Sequence, residues 1–340
     1  MISASPTGSA SPASPTSPAG LTGPAIPAIP AIPALTKGHG TENDFVIVPD
    51  PDGLLAIDAS TVARFCDRRA GIGGDGLLRV VRTANMAGYE DQAAGAEWFM
   101  DYRNADGGIA EMCGNGVRVF ARYLVARGLT DAAEFGVGTR GGVKAVRVGA
   151  AAVTVDMGIP VFPANRGGIT VGVLGTAYPA VDVDMGNPHA VVFLESAETV
   201  GALDLRGRQP AVVPAGSYPD GVNVEFVADI APRHVRMRVH ERGVGETRSC
   251  GTGACAVMIA TARRDRAAPG TPYTVDVLGG RLTFVERADG HLEMTGPAEL
   301  MFDITMVDPA VFGLAQPDVT VSDVTVSVVQ PVAAAVAVGP

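Results

Sequence analysis

Cys113-Gly114-Asn115-Gly116 opens one of the two strongest helical patterns in the chain, at 115–127, and Cys250-Gly251-Thr252-Gly253 opens the other, at 252–264. This is an internal repeat, and it extends upstream. Asn104 lies nine residues before Cys113, and Glu241 lies nine before Cys250, each after a short strand-like run. Asn43-Asp44-Phe45 and Asn223-Val224-Glu225-Phe226 read as a further matching pair. Two similar domains are expected, 36–155 and 156–312, facing each other across a cleft.

Other segments agree with that plan. Asp44-Phe45-Val46-Ile47-Val48, Ala190-Val191-Val192-Phe193 and Val224-Glu225-Phe226-Val227 are rich in β-branched and aromatic residues and bounded by Gly, Pro or Asn, so they read as strands. Helical spacing is otherwise convincing only near 60–69. The expected fold class is α+β: two pseudo-symmetric, strand-rich domains, each wrapped around a central helix, with the active site between them.

Residues 1–35 form an arm of Ala, Ser, Thr, Gly and eight prolines, with three copies of Ala-Ile-Pro at 25–33. This composition favours disorder or polyproline II, where three residues per turn would align Ile26, Ile29 and Ile32. The segment 313–340 is a Val/Ala-rich tail able to add an edge strand. Neither end carries recognisable chemistry.

Across the 340 residues, Lys and Arg number 26 against 36 Asp and Glu, a net charge of −10, and no basic run tracks a phosphate backbone. Nucleic acid is not an expected partner. Nor is a membrane, because no apolar stretch reaches a spanning length of roughly 18 residues. The start lacks the pattern of a signal peptide. Four scattered cysteines (Cys66, Cys113, Cys250, Cys255) suggest reduced thiols and a cytoplasmic setting. No His or Cys cluster completes a metal site, and Gly71–Gly76 lacks dinucleotide spacing, so neither metal nor nucleotide is assigned.

A cysteine at a helix start feels the positive end of the helix dipole and unpaired backbone N–H groups, which favour thiolate. The adjacent glycines bring those N–H groups close to an anion such as a carboxylate. One such turn is weak evidence, since a buried cysteine often serves as a small hydrophobe. Two, placed equivalently in two halves, can address one α-carbon from opposite faces: a thiolate removes the proton and the opposing thiol returns one.

The ordered motifs resemble the diaminopimelate epimerase family. They are His39-Gly40 with Asn43-Asp44-Phe45, Gly71-Ile72-Gly73-Gly74-Asp75-Gly76, Arg103 to Gly107, Glu111 to Gly116, Gly186-Asn187-Pro188-His189-Ala190, Gly221-Val222-Asn223, and Glu241-Arg242-Gly243 through Thr247 to Gly253. The resemblance spans about 36–305. It implies a cofactor-independent isomerase, forming homodimers, that interconverts LL- and meso-2,6-diaminopimelate in lysine and peptidoglycan precursor synthesis. Cys113 and Cys250 would exchange the proton, and His189 and Glu241 would tune them. The small-molecule substrate would be held by Asn43, Asn104, Asn187, Asn223, Glu241 and Arg242, with backbone donors from Gly114, Asn115, Gly251 and Thr252.

Two positions depart from the family pattern: Glu42 replaces a glycine before Asn-Asp-Phe, and Gly76 offers no side chain where a glutamine often stands. Both bear on substrate preference, not on the cysteines. Taken singly, His189 reads as a turn residue, Glu241 as half of a surface ion pair, and Asn104 and Asn223 as turn caps. The alternatives are a racemase of another amino acid on the same fold and a thiol redox or binding protein.

Overall fold

The computed structural model describes residues 34–164, 168–173, 175–206, 209–306 and Phe312. The Ala-Ile-Pro repeats and the Val-rich tail lie outside the described residues.

The repeat anticipated from the cysteine turns is a repeat of topology. In the first half, strands Leu35–Gly40, Asn43–Pro49, Gly76–Arg82, Trp98–Asn104, Glu134–Gly138, Lys144–Val148 and Val153–Asp156 pair in that order. The successive pairings are antiparallel, parallel, antiparallel, parallel, antiparallel and antiparallel. In the second half, Thr176–Asp184, Pro188–Phe193, Asn223–Ala231, His234–Glu241, Pro272–Val277, Gly280–Glu286 and Leu292–Gly296 pair through the same series.

Each half sends its end across to the other. Val153–Asp156 pairs with Leu292–Gly296, joining the sheets. Beyond that seam, strand Glu299–Ile304 returns to pair with Leu35–Gly40, and Val161 bridges to Asp184 in the second half.

Register decides which residues correspond. Phe45 stands opposite Gly76, and His189 stands opposite Asn223. Gly76 in turn faces Asn104, and the Val224–His240 pair sets Asn223 level with Glu241. Asn104 and Glu241 are therefore equivalent, as their spacing from the cysteines suggests. Asn43, however, corresponds to Asn187 and not to Asn223. The sequence match misleads there because Asn223 starts a strand whose counterpart begins with Gly76.

Among the described residues four α-helices accompany the strands: α1 (Ala59–Cys66), α2 (Gly114–Ala126), α3 (Ala197–Ala202) and α4 (Gly251–Arg264). The short α3 lacks enough helical periods to stand out in sequence; Ser196 caps it through Thr199 N–H. Helices α2 and α4 touch strands of their own halves on several sides. They are accordingly buried almost all round, with Val117 to Ala121 and Ala254 to Ala262 shielded from water. Gly128, at φ +64°, supplies the left-handed residue that stops α2.

Polar groups in the first sheet are matched with similar care. Asp101, 1% exposed, accepts from Arg103 Nε at 2.9 Å and from Arg140, with Arg79 Nη1 at 3.6 Å. Burial opposes its ionisation, but Arg103 and Arg140 hold the carboxyl below its usual range. Its stabilising contribution is thus present above the ordinary carboxyl range and fades as pH falls through the lowered value. Replacing Asp101 by Ala strands buried guanidinium groups, so urea unfolding should show a loss of about 3 kcal/mol; an unchanged midpoint would refute this account.

Candidate active site

Helices α2 and α4 begin with the same cap. Cys113 and Cys250 both lie in extended backbone, and each sulfur accepts from the N–H three residues on, Gly116 and Gly253, at 3.4 Å. The helix starts abut. A Cβ added to Gly251 would stand 3.4 Å from both Asn115 N and Gly114 Cα. A side chain there would sit in van der Waals contact with the other helix start, so the two ends meet backbone to backbone.

Asn115 ties the junction from within. Fully buried, its Nδ2 donates to Ser249 O at 3.1 Å, Ser249 Oγ at 3.2 Å and Asn43 Oδ1 at 3.2 Å. Ser249 Oγ also bonds Thr41 Oγ1 at 2.7 Å, and Arg118 reaches Thr41 Oγ1, Gly114 O and Pro297 O from below. Arg118 is wholly buried, which lowers its pKa to about 10.

Above the junction lies a cleft of about 500 Å³ lined by both cysteines and by Asn43, Asn104, Gly114, Asn115, Asn187, Glu241, Gly251 and Thr252. Those are ten of the thirteen residues singled out from the sequence. His189 is fully buried behind the wall, bonded to cleft-lining Asn187 Oδ1 through Nε2 at 3.0 Å. Asn223 is also internal and accepts the backbone N–H of Arg242 at 3.0 Å. Arg242 itself lies exposed, its Nη1 3.4 Å from Asp220 O, next to cleft-lining Gly243 and Val244.

The helix ends do not dominate the thiols' acidity. Burial pushes Cys113 up to about 11, with nearby Glu241 adding to it and Gly116 N–H opposing. Cys250 is pushed well above the usual thiol range by burial, then by Glu241 and Glu225. Removing water and adding carboxylates outweigh the partial charge at each helix start. Glu241 is itself raised by burial and accepts from Thr247 Oγ1.

Several contributors were not legible in sequence. Asp75 accepts from Asn43 Nδ2 at 2.8 Å and lines the cleft, while Arg68 bridges it to Asp44. Tyr102 Oη donates to Asn104 Oδ1 at 2.8 Å. Glu225, fully buried, bonds His189 Nδ1 at 2.7 Å. Its one available signal is a charge inside the apolar run 222–227. Glu42, the departure at the mouth, does not line the cleft: Arg248 pairs with it on the outer rim.

Cys66 and Cys255 stand apart from the cleft, and all four cysteines are free thiols. Among the described residues no group of three or more His, Cys, Asp or Glu is placed to hold a metal ion. No described helix is long and apolar enough to cross a membrane.

A protein-family model described as diaminopimelate epimerase matches residues 35–163 and 181–301. The diaminopimelate epimerase of Streptomyces coelicolor is 60% identical over 271 residues, covering 78% of this chain and 92% of the relative. That of Rhodococcus jostii is 46% identical, covering 82% and 99%. Among solved structures, a Bacillus anthracis phenazine biosynthesis protein of the PhzF family superimposes with a TM-score of 0.59, covering 80% of this chain and 99% of that one, at 16% identity. At that identity the likeness speaks for the fold alone. With two cysteine-capped helices meeting under one cleft and this match over most of its length, the chain belongs to the diaminopimelate epimerase family, a family of isomerases.

Proposed function

We propose that this chain interconverts LL- and meso-2,6-diaminopimelate by passing an α-proton between Cys113 and Cys250, without a cofactor. The observation that carries the reading is the pair of identical cysteine caps on two abutting helix starts beneath one cleft. A substrate carboxylate set over that junction meets the backbone N–H groups of Gly114, Asn115, Gly251 and Thr252, two helix ends at once. The α-carbon is then flanked by a thiol from each half, the arrangement inversion demands.

The chemistry runs in two proton transfers. One thiolate takes the α-proton; the negative charge that develops spreads into the carboxylate, where the N–H donors stabilise it. The opposing thiol then donates its proton to the other face. The roles exchange in the reverse direction, so each turnover leaves the enzyme one proton-shift from its starting form. The substrate's ammonium group, entering beside Asn43 and Asp75, offsets the carboxylates that oppose thiol ionisation.

Glu241 and His189 act as tuners of the two thiols. Asn104, Asn187, Asn223 and Arg242 serve the far amino-acid end, with Arg242 turning toward the distal carboxylate from its exposed position. Division of labour follows the domains 36–155 and 156–312, each furnishing one thiol and one helix end. The enzyme acts as a cytoplasmic homodimer, with the exposed Met301 and Phe302 of the edge strand Glu299–Ile304 in the contact.

Cys113→Ser and Cys250→Ser should each lower α-deuterium uptake from heavy water by about 10²–10⁴-fold with circular dichroism unchanged. Absence of uptake by the reduced parent protein would defeat the reading, as would equal turnover of substrates lacking the distal amino-acid end. Because both thiols are raised, the form with one thiolate gains population as pH rises; kcat/KM should climb through neutral pH toward about 11, where Cys113 ionises, and a falling profile would contradict it. Sedimentation equilibrium should give a dimer that Met301→Glu with Phe302→Glu converts to monomer, and a monomeric parent would exclude that contact.

A further inference from the structure

The duplicated topology allows the ground beneath the two thiols to be compared position by position. Under the first turn of α2, a Cβ added at Gly116 would meet Leu78 Cδ2 at 3.3 Å and Phe45 Cζ at 3.6 Å. Under the first turn of α4, a Cβ at Gly253 would meet Glu225 Oε1 at 2.7 Å. Strand register makes these the same places. Phe45 and Gly76 pair as His189 and Asn223 do, and two residues further Ile47 faces Leu78 as Val191 faces Glu225. An apolar Phe45–Leu78 pair under Cys113 is replaced by a His189–Glu225 pair under Cys250.

We propose that Glu225 is a positioning residue that holds His189 beneath Cys250 and, through its carboxylate there, makes Cys113 the resting base and Cys250 the resting acid. This rests on the two-thiol reading above. The strand interior is otherwise apolar, and an apolar pair fits the equivalent site, so packing alone does not require a carboxylate. Glu225 is 0% exposed and its Oε2 has no hydrogen-bond partner among the described residues. A buried carboxylate oxygen left without a donor costs stability, on the order of 1–3 kcal/mol, and such costs concentrate at functional sites.

The geometry shows what is obtained in return. Glu225 Oε1 holds His189 Nδ1 at 2.7 Å, which fixes the ring and aims Nε2 at Asn187, a residue of the cleft wall. The groups facing Cys250 from other elements are Glu225 on Asn223–Ala231, Glu241 on His234–Glu241 and Tyr102 on Trp98–Asn104, with His189 behind Glu225. Those facing Cys113 are Glu241, Tyr102 and, from within α2, the cationic Arg118. Glu241 raises both thiols and stands ahead of Glu225 at Cys250; Glu225 raises Cys250 and Arg118 lowers Cys113, and both favour ionisation of Cys113 before Cys250.

The test is a pH titration of the cysteine Cβ resonances in the ¹³C-cysteine-labelled full chain, assigned with single Cys→Ser variants, alongside α-deuterium exchange. In the parent protein Cys113 should begin to ionise at lower pH than Cys250. Glu225→Gln keeps an acceptor for His189 but removes the charge: the Cys250 titration should move toward that of Cys113, Cys113 should stay in place, and kcat/KM should fall about tenfold. Glu225→Leu combined with His189→Phe installs the chemistry of the first half. It should move Cys250 further and lower kcat/KM about a hundredfold, equally in both reaction directions because the equilibrium constant is fixed. Coincident titrations in the parent, or a Cys250 titration unmoved in both variants, would overturn the inference. If either variant unfolds, the parent titration and the other variant still decide it. Should the parent lack exchange altogether, the epimerase reading fails while the titration still decides the order of ionisation.

Discussion

The approach of two helix N-termini to within contact distance is the constraint on which the rest of the molecule depends. Each start carries partial positive charge and unpaired N–H groups, so bringing two together is electrostatically unfavourable unless something negative lies between or above them. Protein groups answer part of that demand. The cysteine sulfurs cap one N–H each, and Asn115 and Ser249 cross-link the two ends. The residues that carry the remaining N–H groups line the cleft, where an anion would answer the rest of the demand.

Holding the helices there falls to the sheets. Each helix is buried within its own half, and the halves are fastened by strands that cross between them: Val153–Asp156 against Leu292–Gly296 and Glu299–Ile304 against Leu35–Gly40. Reciprocal exchange of chain ends resists separation better than a contact of two closed surfaces, because opening it would break ladder hydrogen bonds as well as apolar packing. Arg118, bonded to Gly114 O, Thr41 Oγ1 and Pro297 O, joins parts of the chain that meet only at this crossing.

The duplicated backbone does not carry duplicated electrostatics. Helix-end capping is the same for Cys113 and Cys250, whereas the layer beneath is apolar in one half and ionisable in the other. The two-thiol exchange proposed above needs one group at rest as thiolate and the other as thiol. An asymmetric underlayer beneath a symmetric pair would supply that difference.

Sequence by itself determined much of this. The Cys-Gly-X-Gly turns located both central helices within a residue, the spacing to Asn104 and Glu241 exposed the repeat, and β-branched runs marked the strands that flank the cleft. These features are local: a cap, a helical period or a short alternation is encoded within a few residues. What needed the tertiary structure was the outcome of competition between distant groups. The equivalence of Asn43 with Asn187 is set by ladder register, not by similar neighbours in sequence. The direction in which each helix-start thiol shifts is set by burial and by carboxylates in other elements, Glu241 for both and Glu225 for Cys250. Glu225 reads as one charge in an apolar strand until folding places it against His189 and under Gly253, because contact across a sheet depends on pairing and not on proximity along the chain.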